Sequence, residues 1–261
     1  MNLHDPVLCC HGLTKRYGST VALAGVDLAI RAGESVAVMG PSGSGKTTLL
    51  HCLAGILRAD AGSVTLATGG GPVRVDQFRE EERARLRRES FGFVFQQGLL
   101  LPELTAVENT TLPLMLAGLA RREAEQQAAS WLAHLGLAGL EGRRLGEMSG
   151  GQCQRVAIAR SQVTGARVTF ADEPTGALDQ RTSADVLHAL LEATSGRGRS
   201  LVMVTHDENV AAACSRVVRL EDGFVVHDSA PVQAPTPQPG VGAAPAPGEG
   251  SVRRDPLAVS R

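Results

Sequence analysis

Three features of the 261-residue chain predict an α/β fold built on a parallel sheet. Short apolar runs alternate with stretches of helical spacing, one such run ends in glycine, and the first 30 residues follow a different alternation. Residues 35–40 (SVAVMG), 168–171 (VTFA) and 201–204 (LVMV) read as buried strands, because a strand covered on both faces needs no polar alternation. The start alternates and carries turn residues, which predicts an antiparallel β element there. Leu49, Leu50, Leu53 and Leu57 recur at helical spacing and predict a helix over 46–57; two more are expected over 152–163 and 183–193. Between 105 and 145 the apolar positions Leu112, Leu116, Leu119, Trp131, Leu132 and Leu135 mark an inserted helical subdomain, placed at about 97–160. Residues 79–89 (REEERARLRRE) hold nine ionisable groups of mixed sign, which predicts a solvated helix with local ion pairs.

Composition sets the outer bounds. With 43% hydrophobic and 20% charged residues the chain has material for a core. Its 26 basic and 27 acidic residues leave a formal net charge of −1, so no nucleic-acid partner and no anionic membrane surface is expected. No apolar run is long enough to span a bilayer, and MNLHDPVLCC lacks the basic-then-apolar pattern of a secretory signal. Cys9, Cys10, Cys52, Cys153 and Cys214 are odd in number and lack C-x-x-C spacing. That argues against a disulfide framework or a zinc site and suits a reducing cytoplasm. Residues 229–261 hold seven of the 13 prolines; a disordered or polyproline-like tail is expected there, after a globular domain over 1–228. Only two of the 26 basic residues are lysines, Lys15 and Lys46, so both positions merit scrutiny.

Lys46 lies in a phosphate-binding pattern. Gly40, Pro41, Ser42, Gly43, Ser44, Gly45, Lys46 and Thr47 fit G-x-x-x-x-G-K-[ST], with an apolar strand before and a helix, opening through Thr48, after. A glycine-rich loop turns its backbone N–H groups inward as a nest for phosphate oxygens, and the helix N-terminus adds a favourable dipole. Lys46 is the point charge for the β- and γ-phosphates and Thr47 a hydroxyl for Mg²⁺. Downstream, the run 168–173 (VTFADE) ends a buried strand in Asp172, suited to hold the metal, and Glu173, suited to deprotonate an attacking water. Together these predict a P-loop NTPase core.

Beyond the loop, the residues resemble the ATP-binding subunit of ABC transporters. Met148-Ser149-Gly150-Gly151-Gln152 is similar to that family's Leu-Ser-Gly-Gly-Gln signature, with Met for Leu. Asp172-Glu173-Pro174-Thr175 and Ala177-Leu178-Asp179 resemble its Walker B extension and D-loop. Gln96 (in FGFVFQQ) resembles the Q-loop glutamine, His206 (in VMVTHD) the switch histidine, and Tyr17 (in LTKRYG) the aromatic that stacks on adenine. The stretches FGFVFQQGLLLPELTAVENTTLPLMLAG and ADEPTGALD look like the macrolide-export, lipoprotein-release and cell-division group. Thr169 within the Walker B strand and Cys153 after the signature are small departures.

The resemblance implies an ABC ATPase core that binds ATP and Mg²⁺. Thr47, Gln96 and Asp172 would manage the metal, Glu173 would be the base, and His206 would support the γ-phosphate. Ser149, Gly150, Gly151 and Gln152 would act in trans on the nucleotide of a second subunit, in a homodimer or heterodimer. A separate integral-membrane permease is the implied partner, with the ATPase at the cytoplasmic face of the membrane. Two other classes remain open: a soluble ABC ATPase acting on DNA or ribosomes, which usually carries two cassettes, a long coiled coil or a zinc insertion, and a regulatory module that binds ATP without turnover.

Overall fold

The computed structural model describes residues 6–96 and 98–229. The expected tail lies, apart from Ser229, outside the described residues. From the N-terminus the elements are β1 (Pro6–Tyr17), β2 (Thr20–Arg31), β3 (Ser35–Met39), α1 (Lys46–Leu53), β4 (Ala61–Thr68) and β5 (Gly71–Arg74). Then come α2 (Glu80–Ser90), β6 (Phe91–Phe95), α3 (Ala106–Leu116), α4 (Arg121–His134) and α5 (Gly150–Gln162). The chain continues through β7 (Val168–Asp172), α6 (Gln180–Ala193), β8 (Ser200–Val204), α7 (Glu208–Ala212), β9 (Arg216–Glu221) and β10 (Phe224–Asp228).

Two sheets form. The N-terminal one is antiparallel in the order β2-β1-β4-β5. The larger runs β10-β9-β3-β8-β7-β6, parallel throughout except for the edge pair β9 and β10. All five residues of β3 and of β8 are buried, as their unbroken apolar runs require.

Alternation along the central strands gives the interior two main cores. Val168 and Phe170 of β7, with Val202 and Val204 of β8, meet Leu49, Leu50 and Leu53 of α1 and the inner face of the antiparallel sheet. Ala171, Leu201 and Met203 point the other way, onto Val156 and Ile158 of α5 and Val186 and Leu190 of α6. The helix expected over 46–57 stops at Leu53, with Ala54 as its C-cap. Phe170 is the largest fully buried side chain; it meets Phe91 edge to face and stacks on Phe93, at ring-centroid distances of 5.1 and 5.8 Å. Phe170→Ala is therefore expected to cost about 3–5 kcal/mol, a fall of roughly 6–20 °C in the melting midpoint of a domain this size. Differential scanning calorimetry checks it.

The inserted helices are α3 and α4, packed on α5. Not every apolar position of the insert is covered. Leu116 is 65% exposed at the end of α3, whereas Leu114 is the buried residue of that turn. The charged stretch forms α2 as a solvated helix, with Arg87 and Arg83 on Glu80 and Arg85 on Glu89, while Leu86 anchors it to the core. Thr169 is accommodated by a hydrogen bond: its Oγ1 accepts from Gln162 Nε2 at 2.7 Å. Ser229, assigned by sequence to the tail, is tied to Val217 of β9 through both its amide and its hydroxyl.

Candidate active site

The loop between β3 and α1 is shaped by contacts that exclude side chains. A Cβ on Gly40 would lie 2.0 Å from the Leu220 carbonyl, and one on Gly45 would lie 2.1 Å from that of Ala22. Gly40, Gly43 and Gly45 have φ of 145°, 82° and 99°, which glycine adopts without strain. Pro41, Ser42 and Gly43 are exposed and Thr48 half-buried. The Ser44 hydroxyl is buried without a hydrogen-bond partner in the folded chain. Lys46 is also buried, its Nζ donating to the carbonyls of Gly40 (2.8 Å) and Pro41 (2.7 Å), so its charge is held inside the loop.

Three strands deliver the remaining groups to the same end of the parallel sheet. β7 ends at Asp172, whose Oδ1 accepts from Thr47 Oγ1 at 3.5 Å. Burial pushes the Asp172 carboxyl above the usual carboxylate range, against the opposing pull of the Thr47 hydroxyl. Glu173 follows in the left-handed region, φ 45°, a conformation that costs a non-glycine residue about 1–3 kcal/mol. It is held there by Glu173 N–H donating to the Val204 carbonyl at 3.0 Å. β8 leads to His206, whose Nδ1 lies 3.0 Å from Glu173 Oε1; the imidazole is largely exposed and the carboxylate largely covered. β6 leads to Gln96. An ideal Cβ on Gly176 would meet Gln96 Nε2 at 3.0 Å and Glu173 Oε2 at 3.3 Å, so both side chains converge on that glycine. Thr47, Asp172, Glu173, His206 and Gln96, predicted from separate parts of the chain, therefore lie together at one end of the sheet.

Four predicted residues serve local structure as well. Ser149 is the N-cap of α5: its Oγ accepts from Gln152 N–H at 3.3 Å, while its own N–H donates to Gln152 Oε1 at 2.9 Å. This reciprocal box is why Ser and Gln stand three apart in the signature. Asp179 caps α6 through the N–H groups of Arg181 and Thr182, both at 3.1 Å; the hydroxyl of Thr182, and then these N–H groups, hold its carboxyl below the usual range. Gly151 is small because of Thr182, whose Cγ2 would lie 2.4 Å from an added Cβ, whereas Gly150 is exposed. Cys153 is a half-buried thiol pushed up by burial, with Sγ 3.7 Å from the Leu145 carbonyl.

Tyr17 ends β1 and is 51% exposed. Lys15 Nζ sits 5.8 Å from its ring centroid, and Asp60 fixes that lysine at 3.0 Å. Sequence reasoning singled out Lys15 by its rarity but missed Asp60. It also missed Gln154 and Arg160 of α5, which bond to the backbone on either side of Gln96. Their neighbours in the signature helix carried the only available signal.

The family profile of the ABC transporter matches residues 23–176. The chain belongs to the ABC transporter family. The macrolide export ATP-binding/permease protein MacB of Nitrosomonas europaea is 44% identical over 90% of the chain, which spans only 36% of that relative's length. The lipoprotein-releasing system ATP-binding protein LolD of Legionella pneumophila is 42% identical over 85% of the chain and 97% of LolD. These relatives match the macrolide-export and lipoprotein-release resemblance. Among solved structures, a dimeric post-hydrolysis state of the ATP-binding cassette MJ0796 bound to ADP and Pi superposes with a TM-score of 0.75 at 35% identity, covering 85% of this chain and 97% of that one. The fold is thus that of an ABC ATPase cassette. No helix among the described residues is long and apolar enough to cross a membrane.

Proposed function

We propose that this cassette hydrolyses Mg·ATP between two head-to-tail subunits and so drives a membrane permease. The observation that carries the reading is the convergence of the P-loop, Asp172, Glu173, His206 and Gln96 at one end of the parallel sheet. In it, the nest of amides and Lys46 binds the phosphates, and the unpartnered Ser44 hydroxyl faces the same bend of the loop, near where a Gly40 side chain would have stood. Tyr17 offers an exposed ring for adenine.

The donor set fits magnesium. A Thr hydroxyl, a half-buried Asp carboxylate and a Gln amide are oxygen ligands of the kind this hard cation takes. Bound by Thr47, Asp172 and Gln96, Mg²⁺ would neutralise charge on the phosphate oxygens. Glu173 accepts the proton of the attacking water, and His206, on its other carboxylate oxygen, holds the base in place and reaches toward the γ-phosphate. The amides that open α5 at Gly150 and Gly151 form a second anion-seeking helix end, for the γ-phosphate on the other subunit, with Asp179 near that junction.

The permease also has a candidate seat. A groove of about 500 Å³ lined by Ile56, Phe93, Phe95, Leu112 and Leu116 opens between the core and α3. Its exposed leucine is explained if an apolar helix of the permease lies there; MacB is itself named an ATP-binding/permease protein. On this reading the cassette works at the cytoplasmic face of the membrane. Leu116→Asp is expected to abolish co-purification with the permease, while nucleotide affinity of the isolated cassette stays within about twofold. Retained co-purification would remove the groove from the account. The reading as a whole is tested by phosphate release from the purified chain. Mg-dependent release is expected, and its absence in a folded, ATP-binding chain would leave a non-hydrolysing regulatory module instead.

A further inference from the structure

Gln96 sits in a segment gripped from both sides by α5. Gln154 Nε2 donates to the Phe95 carbonyl at 2.9 Å, a carbonyl that also accepts the Gly98 N–H at 2.8 Å. Arg160 donates from Nη2 to the Gly98 carbonyl and from Nη1 to the Leu99 carbonyl, both at 2.7 Å. Gly98 and Leu99 are both left-handed, φ 67° and 46°, a combination that presents two successive carbonyls to one guanidinium. For Leu99 that conformation is strained and its side chain is 59% exposed, so nothing in its own packing explains it. Arg160 in turn has no carboxylate bonded to it in the described residues. These two carbonyls are its hydrogen-bond partners, and burial draws its pKa down. The segment packs closely: an added Cβ on Gly98 would lie 3.5 Å from Gln154 Oε1 and 3.6 Å from the Ala157 methyl.

We propose that Gln154 and Arg160 are positioning residues for Gln96, locking it to the signature helix so that the two move as one body. The consequence follows from where each end of that body lies. The N-terminus of α5 is the signature; Gln96 lies over Gly176 beside Glu173. A displacement of α5 on meeting a second subunit's nucleotide carries the Gln96 carboxamide with it. Metal-side chemistry in one site is thereby made conditional on the docking of the same subunit's signature.

The inference rests on the reading of Gln96 as a metal-side group, so its test separates the two. ATP affinity is measured with a fluorescent analogue in the Glu173→Gln chain, with Mg²⁺ and with EDTA, and the ratio of the two affinities reports coupling to the metal without turnover. Loss of a group that orients a metal ligand costs about 10–100-fold in metal affinity. Arg160→Met and Gln154→Leu are each expected to lower the ratio about tenfold or more, with affinity in EDTA unchanged. Arg160→Lys, which can reach one carbonyl, recovers part of the loss. Gln96→Ala should match Arg160→Met. If Gln96→Ala lowers the ratio while Arg160→Met and Gln154→Leu do not, the lock is refuted and the metal-side reading stands. If Gln96→Ala itself changes nothing, the metal-side reading fails and the lock fails with it. Should Arg160→Met not fold, Arg160→Lys and Gln154→Leu, which preserve side-chain volume, decide by the same ratio.

Discussion

Glu173→Gln lowers steady-state phosphate release about 10²–10⁴-fold while ATP binding is retained, the range a positioned general base contributes. The substitution keeps the shape and hydrogen-bonding span of the side chain but removes its capacity to accept a proton. Because the left-handed backbone at this residue is held by the bond to the Val204 carbonyl, which the side chain does not make, the amide should occupy the same place. His206 should stay beside it, since Gln Oε1 accepts a hydrogen bond as Glu Oε1 does. The mutant is therefore expected to accumulate with ATP bound, as a dimer by size-exclusion chromatography coupled to light scattering. Unchanged turnover would remove Glu173 from the role of base.

Lys46→Ala acts one step earlier, on binding. The ammonium is buried in the loop against two backbone carbonyls, and it is the one side-chain cation the loop itself supplies. Removing one member of a buried, hydrogen-bonded charge pair costs about 2–5 kcal/mol, roughly 30- to 5,000-fold in affinity. The folded state should survive, because the carbonyls released by the lysine face an exposed loop that water can reach. Calorimetric titration with ATP checks the loss. Wild-type affinity in a folded variant would show that the phosphates are held elsewhere.

Much of this site was legible before the fold was known, and the residues show why. Gly40 and Gly45 are forced by backbone contacts at 2.0 and 2.1 Å, so the pattern they form is a direct print of the loop's shape. Ser149 and Gln152 form a reciprocal cap that any sequence reading of helix starts detects. The parts that escaped depend on distant partners. β9 and β10 were missed because Arg216 lies inside a strand, buried, where it reads as polar; Asp228 and Glu34 bond to it from other elements. The turn between these strands did carry a signal, Asp222-Gly223, with φ of 47° and 81° as a tight hairpin requires. The exposure of Leu116 was not legible, because helical periodicity says which residues share a face, not what covers that face. Gln154 and Arg160 escaped for a related reason: their targets are backbone carbonyls some 60 positions earlier, at |i−j| of 59, 61 and 62, which leave no mark in side-chain type.

The central claim is that each nucleotide is shared between the P-loop of one subunit and the signature of another. Ser42 and Ser149 are both exposed, one at each of these two places. With the five native cysteines replaced, Ser42→Cys and Ser149→Cys are introduced together in the Glu173→Gln chain, and oxidative crosslinking is followed with and without ATP. The account predicts an ATP-dependent disulfide between two chains, seen as a dimer on a non-reducing gel. A disulfide confined to single chains, or none between chains when ATP is bound, would contradict it.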